Sequence, residues 1–216
     1  EPFTLFYQRA LYQSMREQAD RTLDALRVVG EDLPESVQRE MHPLLAAKSE
    51  LYRRFDQLLE NKVNAMRTRT HGDFHLGQVL YTGKDFVIID FEGEPARSLS
   101  ERKFKRSALR DVAGMLRSFH YASHVAGQGE YPSNTEMEHW LEFWHAWVCV
   151  AYLKGYFGNA GNSDFLPEST ESIQMLLDIY LLEKALYELT YEINNRPEWV
   201  KVPLSGILKL LEAKTS

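Results

Sequence analysis

Two short stretches bring together side chains suited to metal-assisted transfer of a phosphoryl group. They are His71-Gly72-Asp73-Phe74-His75-Leu76-Gly77-Gln78 and Ile89-Asp90-Phe91-Glu92-Gly93-Glu94-Pro95. Mg²⁺ is a hard cation that takes oxygen ligands and is often held by one or two carboxylates together with substrate phosphates. A carboxylate, an amide and a second carboxylate at one point would meet that need. A further acidic group kept off the metal can orient and deprotonate a hydroxyl.

The spacing carries more than the residue types. Asp-x-x-x-x-Asn with a later Asp-Phe-Gly is the kinase arrangement, in which the first Asp accepts the proton of the acceptor alcohol and the amide and second Asp hold the metal. Here it reads Asp73-x-x-x-x-Gln78 and Asp90-Phe91-Glu92. Taken singly, acidic residues at strand ends are more often turn formers or helix caps. His71 and His75, four apart, invite comparison with the zinc-binding H-E-x-x-H helix, but Gly72 stands where its Glu is required and the segment has no helical pattern. Both histidines are read as loop support, with His71 bracing the backbone around Asp73.

These side chains need a rigid base. Val79-Leu80-Tyr81-Thr82 and Phe86-Val87-Ile88-Ile89 are β-branched and aromatic runs flanking Gly83-Lys84, which suits a two-residue type II′ turn. That register puts Gln78 opposite Ile89 and beside Asp90, with Asp73 hanging over the same end. The rest reads as helix. Thr4 to Val29 has apolar residues at helical spacing and ends at Gly30, and a second stretch from about Glu35 fades near Asn64 and packs with the first. Further helices are expected at about 106–126, 135–157, 168–195 and 204–212, separated by turn-rich breaks at 127–132 and 158–162.

The 216 residues are 44% hydrophobic and 26% charged, enough for one folded domain spanning 1–216, with the 71–95 segment as its chemical centre. Net charge is −6, with Lys and Arg scattered rather than gathered into a basic stripe, so nucleic acid is not an expected partner. The single Cys149 allows no intramolecular disulfide and is read as a buried, reduced, cytosolic thiol. His139 to Phe157 is the most hydrophobic window, yet Glu142, His145 and Lys154 make it too polar for a membrane span. It is read as a central core helix, with Trp140, Trp144 and Trp147 as core packing. In the 168–195 helix, Met175, Asp178, Leu182, Ala185, Leu186, Leu189 and Ile193 share one broad side, and Tyr180, Lys184, Tyr187 and Tyr191 line the opposite one. Asp111, at a helix start, is read as structural.

Those motifs, with Lys184-Ala185-Leu186-Tyr187-Glu188 and Arg196-Pro197, resemble the maltokinase family, including the maltokinase region fused behind bacterial trehalose synthase. The resemblance implies a mainly α fold with a small β-hairpin, the C-terminal lobe of the protein-kinase-like fold with the N-lobe absent. It implies transfer from ATP to maltose, giving maltose 1-phosphate for α-glucan synthesis, with Mg²⁺ as cofactor. Carried across, Asp73 is the catalytic base, Gln78 and Asp90 are metal ligands, and Glu92 is a helper beside the metal. Lys184, Tyr187 and Tyr191 are the sugar-contacting residues. Asp111 would brace the catalytic loop as a helical Asp does in related kinases. Gln78 replaces the asparagine of protein kinases and Glu92 their glycine, so a protein-kinase-like swing of that loop is not implied.

No Gly-x-Gly-x-x-Gly loop, Walker sequence or Val-Ala-Ile-Lys-type lysine is found in the chain, and Glu1-Pro2-Phe3 opens without an initiator methionine. The expectation is therefore an excised acceptor-binding half, inactive alone, whose partners are maltose or a similar disaccharide, ATP, an N-lobe in cis and a fused trehalose synthase. No membrane is expected, and the location is cytoplasmic. Two other readings stay open: another small-molecule kinase of the aminoglycoside or choline kinase type, and a noncatalytic module that anchors or regulates a fused trehalose synthase.

Overall fold

Thr4 ends the extended entry of the chain, its Oγ1 accepting from the Tyr7 N–H at 3.2 Å and so capping helix α1 (Leu5–Val29). The computed structural model describes residues 1–30, 33–94, 98–127 and 135–212, the side chains of Ser36 and Thr135 apart. The expected second helix is divided into α2 (Glu35–Ala46) and α3 (Lys48–Glu60). Pro43 inside α2 contributes no N–H, and the chain turns at Ala47, whose N–H donates to the Pro43 and Leu44 carbonyls.

Strands β1 (Val79–Tyr81) and β2 (Phe86–Ile88) form one antiparallel hairpin, pairing Val79 with Ile88, Leu80 with Val87 and Tyr81 with Phe86. This is the register expected from the Gly83-Lys84 turn, and Gly83 has the positive φ, 90°, that opens it. After the hairpin come the short α4 (Leu99–Arg102), closed by a Ser98/Glu101 capping box, then α5 (Leu109–Gly127), α6 (Thr135–Ala160), α7 (Thr170–Asn195) and α8 (Lys201–Glu212). Helix α6 runs through Gly158, and the turn follows at Gly161, φ 55°. Of the turn-rich break expected at 127–132, residues 128–132 lie outside the described residues.

The fold is thus mainly α with one small hairpin, in two compact units. Pro2–Asn64 with Ser169–Ser216 is a helical unit in which α1 packs on α3 and α7, and α8 on α2 and α7. Leu23, Leu26, Phe55, Leu58, Leu176, Ile179 and Leu186 are fully buried there. Glu1 with Ala65–Glu168 holds the hairpin, α5 and α6. Its core is built on α5, where Leu109, Val112, Ala113, Met115 and Leu116 are buried.

Two expectations are corrected. Helix α6 is no central core helix: Trp140, Trp144 and Trp147 are exposed by 62%, 43% and 59%, and Cys149 is only half-buried. Apolar residues lie on every side of α6, so its sequence cannot say which side packs; one side does, with Tyr152 edge-on to Phe119 and His145 edge-on to His120 of α5. Tyr180 is buried rather than part of an open tyrosine face. Among the described residues no helix is long and apolar enough to cross a membrane.

Candidate functional site

The hairpin's open end carries the chemistry. Gln78 closes a 3₁₀ turn over Leu76–Gln78, its N–H donating to the His75 carbonyl at 2.9 Å, and its own carbonyl accepts from the Ile89 N–H at 3.0 Å. The ladder thereby runs on to Asp90, and Gln78 Nε2 donates to Asp90 Oδ2 at 3.0 Å. Asp90 is the one non-glycine residue with positive φ, 62°, among the described residues. A left-handed conformation is tolerated by aspartate better than by most residues.

His75 stands between this pair and Asp73. Its Nδ1 accepts from the Gly77 N–H at 3.1 Å, so in the neutral ring Nε2 carries the proton. That Nε2 lies 3.7 Å from Asp73 Oδ2 and 3.5 Å from Gln78 Nε2. Asp73 keeps 18% of its side-chain surface open, enough to meet a hydroxyl. Glu92 follows on an exposed turn.

The loop around Asp73 is held from behind. Asp111, in the first turn of α5, accepts from the His71 N–H at 2.6 Å and the Gly72 N–H at 2.9 Å. Burial pushes the Asp111 carboxyl above its ordinary value, opposed by these two N–H groups, which favour the carboxylate. The buried His71 receives the Asp73 N–H on Nδ1 at 3.4 Å, so its Nε2 donates to the Ile89 carbonyl at 2.8 Å. One imidazole thus ties the Asp73 loop to the Asp90 strand. Its ring also lies between Phe74 and Phe91, with centroids 5.4 and 5.0 Å away.

Three contacts were not foreseen from sequence. Ser118 Oγ accepts the Leu76 N–H at 2.9 Å. Gly114 of α5 lies so close that a Cβ there would stand 2.6 Å from the Phe74 carbonyl oxygen. Gly72 and Gly93, at φ 88° and 78°, let the two chemical segments pass backbone to backbone. A glycine inside a helix costs about 1 kcal/mol against alanine, so Gly114 carried a readable signal of close approach.

Among the described residues no three His, Cys, Asp or Glu side chains converge into a ready-made metal site. What the unit offers is an amide and a carboxylate in contact, with the Gln78 side-chain Nε2 turned to Asp90 and Oε1 available as a ligand for a cation. Such a pair fits Mg²⁺ shared with phosphates better than a cation held by protein alone.

The other expected residues stand on α7, in the helical unit. Lys184 Nζ lies 5.0 Å from the centroid of the half-buried Tyr187 ring. Tyr191 is 45% exposed and carries the Arg196 guanidinium 5.4 Å from its centroid, itself paired with Glu192 through two bonds of 2.8 and 2.9 Å.

Known proteins resemble parts of this chain. The profile of the Phosphotransferase enzyme family matches residues 8–94. Curated glucosamine kinases from Mycolicibacterium smegmatis and Streptacidiphilus jiangxiensis are each 27% identical over 146 residues, covering 68% and 65% of this chain but 35% and 31% of those proteins. Among solved structures, a glucosamine kinase (crystal form B) superposes with a TM-score of 0.80 at 23% identity, over 98% of this chain and 48% of that one. A glucosamine kinase in complex with glucosamine, ADP and inorganic phosphate gives the same score over 46% of its chain. The chain thus spans about half the length of the solved relatives. Its fold is the one those kinases share.

Proposed function

We propose that this chain is the acceptor-side, C-terminal lobe of an ATP-dependent sugar kinase, and that its sugar is maltose, phosphorylated to maltose 1-phosphate. The observation that carries the reading is the Asp73 loop braced by Asp111 beside the Gln78–Asp90 pair, with His75 Nε2 3.7 Å from Asp73 and 3.5 Å from Gln78. Asp73 takes the proton of the attacking hydroxyl. His75 Nε2–H faces the Asp73 carboxylate at 3.7 Å, and the His71 and Asp111 bonds fix the backbone beneath it. Gln78 and Asp90 would hold Mg²⁺, with Glu92 beside them; the cation would neutralise phosphate charge. Most of the acceleration comes from positioning and electrostatics, with proton removal worth roughly 10² to 10⁴.

Maltose is favoured by the motifs shared with maltokinases and by Lys184, which with Tyr187 and Tyr191 we assign to the sugar. An ammonium and phenol rings suit a neutral saccharide through hydrogen bonds and stacking. The second reading is glucosamine, named for the relatives. A protonated amine is repelled by a lysine, which argues against it. ATP binding, an N-lobe in cis and a fused trehalose synthase belong to the same proposal, as does a cytoplasmic location.

The test is steady-state kinetics on the kinase that contains this chain, with maltose and glucosamine as acceptors. Maltose should have the higher kcat/KM, and Asp73→Asn should lower kcat by about 10²-fold or more without loss of helix content. An Asp73→Asn enzyme with an undiminished rate removes the base assignment. The 216 residues alone should turn over little, and stoichiometric ATP-dependent phosphorylation of maltose by them would refute the lobe reading.

A further inference from the structure

Helix α6 presents a stripe that is self-complementary when reversed. Glu136, Trp140, Phe143, Trp147, Val150 and Lys154 follow one another at intervals of four and three, and all are exposed. At 100° per residue they share a sector about 80° wide, the a/d seam of a two-helix coiled coil. The side of α6 that packs on α5 is a different one, carrying His145 and Tyr152.

We propose that this stripe pairs with the same stripe of a second copy of the chain, the two α6 helices running antiparallel about a two-fold axis. Reversal sets Glu136 against Lys154 of the second copy, Trp140 against Val150 and Phe143 against Trp147, each pair occurring twice. The acid lies at one end of the stripe and the base at the other, so antiparallel pairing joins opposite charges at both ends. A parallel pairing joins like with like. A two-fold contact needs a surface complementary to itself, and this order of residues supplies it.

The size of the contact sets its strength. Trp140, Phe143, Trp144, Trp147 and Val150 from two copies would cover about 1,000 Å² in total, at the low end for specific association. A dimer with a micromolar dissociation constant is expected, populated at high protein concentration.

Sedimentation equilibrium of the full-length protein that contains this chain, from about 1 to 300 µM, tests this against the range such an interface implies. A monomer–dimer equilibrium is expected, abolished by Trp147→Asp. The charge variants keep the test independent of any folding defect in that substitution. Glu136→Lys and Lys154→Glu, each alone, should weaken the dimer by about tenfold, because each sets like charges together twice. The double variant should restore it, because the swapped charges again meet their opposites. A chain that stays monomeric across the range overturns the proposal, as when the stripe is covered by another part of a longer polypeptide. A dimer that the single charge changes leave intact, or that the double change does not restore, overturns it as well.

Discussion

Gln78 Nε2 donates to Asp90 Oδ2 at 3.0 Å while Asp90 sits in a left-handed backbone conformation, φ 62°. The amide holds the carboxylate at the hairpin's mouth, and the backbone twist aims it there. Strain of this kind costs of order 1 kcal/mol or more and persists where the surroundings determine it.

Two substitutions separate charge from backbone at this point. Asp90→Asn keeps the tolerance of the left-handed region and removes only the charge, whereas Asp90→Ala adds conformational strain. Asp90→Asn should leave the melting temperature near wild type and raise the Mg²⁺ concentration needed for half-maximal kinase activity by about tenfold or more. Asp90→Ala should share that defect and also melt earlier. A wild-type Mg²⁺ dependence for Asp90→Asn would remove Asp90 from the metal assignment.

Gly114 is the next point of leverage. A methyl group there would stand 2.6 Å from the Phe74 carbonyl oxygen, between Asp73 and His75, and backbone cannot give way as a flexible side chain does. Gly114→Ala should destabilise the protein by about 1–3 kcal/mol despite the better helix propensity of alanine. If Asp73 is the base, as proposed, kcat in the kinase should fall more than KM rises. Thermal melts with kinetics on one preparation check this, and an Ala variant more stable than wild type would show that the loop moves freely.

How far the sequence led depended on how local each cause is. The hairpin register followed from the β-branched runs and the Gly83-Lys84 turn, which act between neighbours. So did the buried side of α7, where Leu182, Leu186, Leu189 and Ile193 recur with the helical period. Helix α6 misled because it is apolar all round, and Tyr180 because a position opposite one buried face can be buried against another neighbour. The Ser118 bond to Leu76 and the Gly114 contact with Phe74 join residues some forty positions apart, and no periodicity reports such a meeting. The Gln78–Asp90 contact was legible because strand pairing alone brings the two together.

Stability in the helical unit should respond to acid through Glu50 on α3. Arg53 donates to both Glu50 carboxylate oxygens at 2.7 and 2.6 Å, and Arg54 to one of them at 3.1 Å. The Arg53 bonds lead in holding its pKa down, from 4.5 to about 2. A lowered folded-state value means the contribution is present above pH 4.5 and is lost as pH falls towards 2. Because about a third of the side chain is exposed, solvent screening keeps the gain under about 1 kcal/mol. Glu50→Gln should therefore be slightly less stable than wild type in urea at neutral pH, with the difference closing as pH falls through that window. A difference that stays constant with pH would show that the carboxylate's charge is not what Arg53 and Arg54 recognise.

The proposed role of Lys184 can be tested through the choice of sugar. Its ammonium lies 5.0 Å from the Tyr187 ring centroid, and a neutral saccharide brings no like charge against it. Against a protonated amino sugar a few ångströms away, the same charge is worth about 1 kcal/mol of repulsion in water and more where solvent is excluded. Lys184→Gln should therefore lower kcat/KM for maltose by about tenfold, mainly through KM, and leave glucosamine unchanged or improved. Tyr187→Ala should weaken maltose through the lost stacking face without changing the Mg²⁺ dependence. Competition between the two sugars, read as the ratio of kcat/KM values in wild type and Lys184→Gln, measures the effect directly. An unchanged ratio would place Lys184 outside the sugar's reach and leave Asp73, His75, Gln78 and Asp90 to define the site without it.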